Sequence, residues 1–95
     1  MKPYLLKEEE IKELGAKISD WEIHPKYIER NIIFKNFVDA FSFMTKVALL
    51  AEKYNHHPNW ENVYSQVRIK LFTHDLGGIS NLDHVMASEI NNLLI

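Results

Sequence analysis

Two short segments of the sequence, residues 52–60 and 73–75, carry most of the side chains that could take part in catalysis. They hold three of the chain's five histidines, His56, His57 and His74. An imidazole exchanges protons near neutral pH, so histidines that converge in one pocket could act as general acid and base. They could equally bind a metal ion. We therefore expect the fold to bring these two segments together.

The spacing within the first segment indicates how it is arranged. Glu52 and His56 are four residues apart, so they share a helix face if the last turn persists, and the carboxylate could then orient the imidazole. His57 precedes Pro58 and must leave the helix. Two adjacent histidines with a third about 17 residues further on do not match a known zinc-binding pattern. From spacing alone, a histidine pair at a helix end is more often surface decoration than a site.

The elements around these segments predict an α+β fold in the order α-β-β-α-β-β-α. Strand pairs that are joined by hairpins pair antiparallel, so we expect a four-stranded antiparallel sheet with the helices packed on one face. The predicted elements are a helix over 7–14 that stops at Gly15, strands over 19–23 and 27–35, a helix over 37–54, strands over 60–64 and 66–73, and a helix that begins after Ser80, with Asp83 at its capping-box position.

The long helix has an apolar surface that covers about half of its circumference. Asn36 is a good N-cap, with Asp39 in the matching capping-box position. One apolar stripe consists of Phe37, Phe41, Met44, Ala48 and Ala51, and a second consists of Phe43, Val47, Leu50 and Tyr54. We expect the sheet to cover the first stripe and a neighbouring subunit to cover the second; the alternative is that a terminal helix of the same chain covers it.

Composition narrows the function classes. The chain has 95 residues, a formal net charge of −2 and no cysteine. We expect a single domain over residues 1–95, with no disulfide, no thiolate metal site and no direct contact with nucleic acid, since nucleic-acid-binding domains are usually basic. No apolar run approaches the length of roughly 18 residues that spans a bilayer. We therefore expect a cytoplasmic protein without a membrane segment.

The histidine segments resemble those of the pterin-4a-carbinolamine dehydratases, which are known in animals as the dimerisation cofactor of a hepatocyte transcription factor. The resemblance covers roughly residues 34–93 and is looser before them. It rests on Ala51-Glu52-Lys53-Tyr54-Asn55-His56-His57-Pro58-Asn59-Trp60, Asn62-Val63-Tyr64, the alternating Val67, Ile69 and Leu71, Thr73-His74-Asp75, Gly77-Gly78-Ile79-Ser80, and the helix segment 40–48.

This resemblance implies a hydro-lyase, a 4a-hydroxytetrahydrobiopterin dehydratase that acts in tetrahydrobiopterin recycling. The enzyme would remove water from a 4a-hydroxytetrahydropterin to give the quinonoid dihydropterin, without a metal or organic cofactor. Hydroxide leaves C4a while N5 loses its proton, and an imidazole could assist either event. The resemblance implies that His56, His57 and His74 are catalytic, and it leaves open which of them is the acid and which the base.

The same resemblance implies the residues that contact the substrate. They lie in two segments, Asn55–His57 and Phe72–Asp75, where Phe72 is bulkier than we expect of many relatives. Glu52 would tune one histidine, and Trp60 would wall the pocket against the flat pterin ring. The structural alternatives are a plain helix-end carboxylate for Glu52, a core position for Trp60 and a turn cap for Asp75.

The resemblance further implies a homodimer or homotetramer that is built through the long helix and the sheet edges. An alternative function is a binding module of the coactivator type, which would use the long helix to hold a partner's helices. Such a module needs the second apolar stripe but not the histidines. The presence of all three histidines favours the enzyme.

Overall fold

A computed structural model describes the whole chain, residues 1–95. The elements are α1 (Glu8–Lys17), β1 (Glu22–Ile23), β2 (Ile28–Ile33), α2 (Phe37–Tyr54), β3 (Asn59–Val63), β4 (Gln66–Leu71) and α3 (Asn81–Leu93), with one 3-10 turn, His74–Leu76, between β4 and α3. This order confirms the predicted α+β fold. None of the helices is long and apolar enough to cross a membrane.

The four strands form one antiparallel sheet in the order β1-β2-β4-β3. The strands β2 and β4 therefore lie in the centre, and β3 is an edge strand. A two-residue turn joins β3 to β4, and Tyr64 adopts a left-handed conformation there with φ 54°. The sequence has no glycine at this turn, so Tyr64 takes the positive φ that such hairpins need.

One face of the sheet forms the floor of the core. Val67, Ile69 and Leu71 alternate along β4 and are completely buried, whereas Arg68 and Lys70 point to the open face. The exception in β2 is Arg30, which interrupts the apolar face; its Nη1 donates a hydrogen bond to Asn91 Oδ1 at 2.5 Å. The other buried apolar residues of the core are Leu14, Ile18, Trp21, Ile28, Ala40, Phe43, Val47, Ala51, Ile79, Met86, Ala87 and Ile90.

The long helix α2 starts and ends as the sequence predicts, but the predicted cover of its two stripes is wrong: the second stripe faces the core of this chain, together with Ala51 of the first. Phe43 and Val47, from the second predicted stripe, are buried inside this chain. Phe37 and Phe41, from the first, are 44% and 53% exposed. Helical periodicity shows how wide the apolar surface is; it does not show which half faces the sheet. The large apolar residues of α2 that remain exposed are Phe37, Val38, Phe41 and Leu49, which we call the exposed stripe.

The ends of β2, β3 and β4 differ from the prediction by one or two residues, and two other boundaries differ by three. The first helix continues through Gly15 to Lys17, because Leu14 and Ile18 lie one turn apart and both are buried. The predicted strand over 19–23 shortens to the two residues of β1, since the preceding residues complete the turn that follows α1.

Candidate active site

The end of α2 and the end of β4 bring the two histidine-bearing segments together. The helix stops at Asn55, which adopts a left-handed conformation with φ 49° and ψ 45°. Asparagine tolerates this conformation better than most residues do. Pro58 then holds the chain extended into β3. On the other side, the chain leaves β4 through Thr73 and enters the 3-10 turn that starts at His74.

A cleft of about 390 Å³ lies between these two segments. Its volume falls in the range typical of small-ligand sites, roughly 300–1,000 Å³. The predicted substrate-contacting segments supply most of its walls, and all three histidines lie along it. The lining residues are Asn55, His56, His57, Pro58, Asn59, Phe72, Thr73, His74 and Asp75.

His56 is the buried histidine of the cleft. The residue is 9% exposed, and its Nε2 lies 2.6 Å from Oδ1 of Asp83, which is completely buried. A carboxylate only accepts hydrogen bonds, so Nε2 is the donor in this pair. The ring nitrogen Nδ1 is the one that remains for a ligand.

Asp83 is held by further hydrogen bonds of its own. Its Oδ2 accepts the backbone N–H of Ser80 at 2.8 Å and the hydroxyl of Thr73 at 2.9 Å. The hydroxyls of Thr73 and Ser80 lie 2.5 Å apart, and Ser80 Oγ accepts the N–H of Leu82 at 3.1 Å. These partners satisfy both carboxylate oxygens inside the protein, which offsets the cost of burying the charge.

His57 forms the second histidine–carboxylate pair, on the surface. Its Nε2 lies 2.6 Å from Oε2 of Glu52, and the two side chains are 57% and 76% exposed. Water and salt screen such a pair, so its contribution to stability is below about 1 kcal/mol. The predicted pairing of Glu52 with His56 is therefore wrong. The left-handed Asn55 breaks the helix before His56 can complete the i, i+4 face.

His74 is exposed and has no hydrogen bond or ion pair with another side chain. The local backbone nevertheless fixes its position, because the 3-10 turn is closed by Thr73 and Gly78. Thr73 N–H donates to Gly78 O at 2.8 Å, and Gly77 adopts φ 73°. A residue with a side chain would be strained at Gly77.

A sequence model of the family described as Pterin 4 alpha carbinolamine dehydratase matches residues 4–93, which is nearly the whole chain. The chain belongs to this family. The relation suggested by the histidine segments is thus confirmed over the N-terminal residues as well, where the sequence resemblance was loose.

Individual pterin dehydratase relatives agree with this assignment. A protein of Prochlorococcus marinus (strain MED4), provisionally named pterin-4-alpha-carbinolamine dehydratase, is 69% identical over 93 residues, which cover 98% of this chain and 97% of that protein. The crystal structure of a transcriptional coactivator/pterin dehydratase from Brucella melitensis superposes with a TM-score of 0.89 at 38% identity, covering 95% of this chain and 98% of that one.

A third structure shows how far the fold reaches. A pterin dehydratase-like protein, identified as a RuBisCO assembly factor in the alpha-carboxysome, matches with a TM-score of 0.63 at 22% identity. The match covers 77% of this chain and 84% of that protein. At this identity the likeness shows the shared fold alone.

The structure places two of the predicted site residues outside the cleft of this pterin dehydratase family member. Glu52 bonds to His57 but does not itself line the cleft. Trp60 is half-buried and packs against the core, because it pairs with Ile69 across the sheet and so shares the buried face. No group of three or more histidine or carboxylate side chains is arranged to hold a metal ion.

The residue that the sequence reasoning missed is Asp83. The capping box predicted at the start of α3 is confirmed, since Asp83 Oδ2 accepts the N–H of Ser80. Such a capping carboxylate normally faces solvent, and nothing in its spacing points to His56. Its burial beneath α2 is the tertiary feature that turns a helix cap into a histidine partner.

Proposed function

We propose that this protein catalyses the dehydration of a 4a-hydroxytetrahydropterin to the quinonoid dihydropterin, with histidines as acid and base. The observation that carries the proposal is the cleft that His56, His57 and His74 share in a chain of the pterin dehydratase family. The tetrahydrobiopterin form of the substrate, and with it a role in recycling that cofactor, is part of the proposal.

The chemistry asks for two proton transfers. The C4a–O bond breaks, and the departing hydroxide takes a proton to leave as water. The N5–H bond also breaks, and its electron pair forms the N5=C4a double bond of the product. The loss of water needs no oxidant or reductant. One group that donates a proton and one that accepts a proton are therefore sufficient.

The arrangement of His56 suits the base. Asp83 holds the proton on Nε2, which leaves the lone pair of Nδ1 available to accept the N5 proton. The carboxylate then stabilises the imidazolium that forms, as the aspartate does for the histidine of a serine-protease triad. Because the pair is buried and hydrogen-bonded throughout, the ring stays in one orientation while it reacts.

His57 and His74 are the candidates for the acid. Both are exposed to solvent, so either can be reprotonated from water between turnovers. The Nε2 of His57 lies 2.6 Å from the Glu52 carboxylate, which can orient the ring. His74 lies on the opposite side of the cleft, at the start of the 3-10 turn, and its side chain makes no hydrogen bond within the protein. We assign the protonation of the leaving hydroxide to His57 and His74 together.

The exposed stripe of α2 supports a homo-oligomer. Phe37, Val38, Phe41 and Leu49 are between 44% and 69% exposed, which is unusual for neighbouring large apolar residues on one helix face of a monomer. We propose that a second copy covers this stripe by helix-to-helix packing. The same surface supports a second candidate function, the binding of an amphipathic helix from another protein.

The direct test is a stopped-flow assay with a synthetic 4a-hydroxytetrahydropterin. We expect the purified protein to accelerate formation of the quinonoid dihydropterin well above the rate in buffer, and to do so equally after dialysis against a chelator. No acceleration at micromolar protein would contradict the proposed function. Loss of activity after chelation, restored by added metal, would contradict the metal-free mechanism.

A further inference from the structure

Asn81, the first residue of α3, fastens the N-terminal segment to the body of the protein. Its side-chain Oδ1 accepts the backbone N–H of Tyr4 at 2.8 Å, and its Nδ2 donates to the carbonyl of Lys2 at 3.2 Å. Its own backbone N–H donates to the carbonyl of Tyr4 at 3.2 Å. One amide thus pairs with two backbone groups two residues apart, as a neighbouring β-strand would.

The fastened segment continues along the chain next to the histidine network. Leu6 N–H donates to the carbonyl of Ile79 at 2.9 Å, and Leu5 forms an isolated β-bridge with Ser80. The side chain of Leu5 also packs so closely on Gly78 that a Cβ there would lie 3.3 Å from Leu5 Cδ2. Residues 2–6 therefore cover the segment 78–81 along its length.

This segment holds the partners of the buried histidine. Ser80 is completely buried, and its N–H and hydroxyl bond to Asp83 and Thr73. Asp83 in turn bonds to His56. A displacement of Ser80 would therefore be transmitted to the ring of His56 through two short hydrogen bonds.

A second cavity shows that the N-terminal segment lies near this histidine. The cavity measures about 510 Å³, and Met1 and Pro3 form part of its wall. His56 and Thr73 line this cavity as well as the cleft. The N-terminal segment thus bounds the space on one side of His56.

The side chain of Asn81 is not needed to start the helix. Ser80 is the N-cap and Asp83 completes the capping box, so the backbone groups of the first turn are satisfied without it. Many residue types suit the first position of a helix. The side-chain amide of Asn81 therefore serves to bind the N-terminal segment.

We propose that Asn81 is a positioning residue: it clamps residues 2–6 onto residues 78–81 and so fixes Ser80, Asp83 and the ring of His56 in their reacting arrangement. The catalytic consequence rests on the proposed dehydratase function, whereas the effect on the His56 ring does not. Small displacements of a reacting group can cost about 10²-fold in rate. Asn81 acts on His56 only indirectly, so we expect its loss to lower the rate less, by about 10-fold.

The test compares Asn81→Ala, Asn81→Asp and Asn92→Ala in the full chain. Asn92 is an exposed asparagine on the same helix and forms no side-chain hydrogen bond, so it controls for a change of asparagine on α3. The readouts are the ring ¹⁵N chemical shifts of His56, which report which nitrogen carries the proton, kcat and KM for dehydration, and the melting temperature.

For Asn81→Ala we expect altered His56 ring shifts and a kcat about 10-fold lower, with KM changed by less than about 2-fold. Asn81→Asp keeps the acceptor for Tyr4 and adds a charge that favours the helix start. We therefore expect an intermediate kcat with an unchanged or higher melting temperature. Asn92→Ala should match the wild type in every readout.

Wild-type ring shifts and kcat in Asn81→Ala would overturn the inference. An equal loss of kcat in Asn81→Ala and Asn92→Ala, following an equal fall in melting temperature, would overturn it as well. If the ring shifts change in Asn81→Ala although the wild type has no dehydratase activity, the clamp is supported and the proposed function is contradicted.

Discussion

Nε2 of His56 and Oδ1 of Asp83 lie 2.6 Å apart in the protein interior, although 27 residues separate them in the sequence. Asp83 serves two structures at once, because its other oxygen caps α3 through the N–H of Ser80. The start of α3 and the orientation of a cleft histidine therefore depend on the same carboxylate.

Replacing Asp83 by asparagine should separate these two tasks. The amide oxygen can still accept from Ser80 and Thr73, so the helix cap persists, whereas the amide nitrogen that replaces Oδ1 is a donor and cannot accept the N–H of His56 Nε2. We expect the rate of dehydration to fall about 10²-fold, with the folded state retained by circular dichroism.

The matched control for this variant is Asp39→Asn. Asp39 occupies the corresponding third position of α2, where its N–H bonds to the Asn36 cap, but its side chain is exposed. Its activity should equal that of the wild type. An Asp83→Asn enzyme with full activity would show that the buried carboxylate is only a helix cap.

Replacing Glu52 by glutamine should have a much smaller effect. The pair that Glu52 forms with His57 is largely exposed, so solvent screens it and its loss costs below about 1 kcal/mol. We expect kcat/KM to change less than about 5-fold at low salt, and less still at 0.5 M salt. A loss as large as that of Asp83→Asn would mean that the surface pair carries the chemistry.

The exposed stripe of α2 predicts a defined change in oligomeric state. Phe41→Asp places a charge in the proposed helix-to-helix contact, which is costly unless the charge finds a partner. We expect size-exclusion chromatography with light scattering to show a smaller species than the wild type. Asn92→Asp, which places the same charge at an exposed polar position of α3, should leave the mass unchanged. Equal masses for all three proteins would contradict the interface.

Tyr54 gives a prediction on pH. Its hydrogen-bonding interaction with Glu89 raises the pKa of the phenol above the usual 10.0, with desolvation and the negative charge of Glu89 adding to the effect. The folded state thus favours the neutral phenol, and the stability that this adds is present below about pH 10 and lost as the pH rises through the raised pKa.

Ultraviolet titration near 295 nm checks this prediction, with Tyr54→Phe identifying which absorbance step belongs to Tyr54. In Glu89→Gln that step should move to lower pH. A step that stays where it is in Glu89→Gln would show that the carboxylate does not set the pKa.

The sequence predicted the order of elements because local signals mark each of them. The alternation of Val67, Ile69 and Leu71 indicated β4, and the caps Asn36 and Ser80 marked the starts of α2 and α3. The two histidine segments could also be predicted to converge, since each one ends a regular element. Boundaries shifted where tertiary packing outweighed a local signal, as at Gly15.

The pairings within the site could not be predicted in the same way. The i, i+4 spacing predicted that Glu52 is the partner of His56. The left-handed turn at Asn55 directs His56 inward and so prevents that pair. Asp83 was visible only as a cap, because its contact with His56 depends on how α3 packs against α2. The choice between the two stripes of α2 depends on the same packing.

The most direct test of the central claim is the stopped-flow dehydration rate of His74→Ala beside wild type and His24→Ala. His74 is exposed and makes no side-chain bond, so its replacement should leave the melting temperature unchanged. We predict that the rate of His74→Ala is lower than that of the wild type by about 10²-fold or more. His24 lies outside the cleft, in the turn between β1 and β2, and His24→Ala should react at the wild-type rate. A wild-type rate in His74→Ala would contradict catalysis by the histidine cleft.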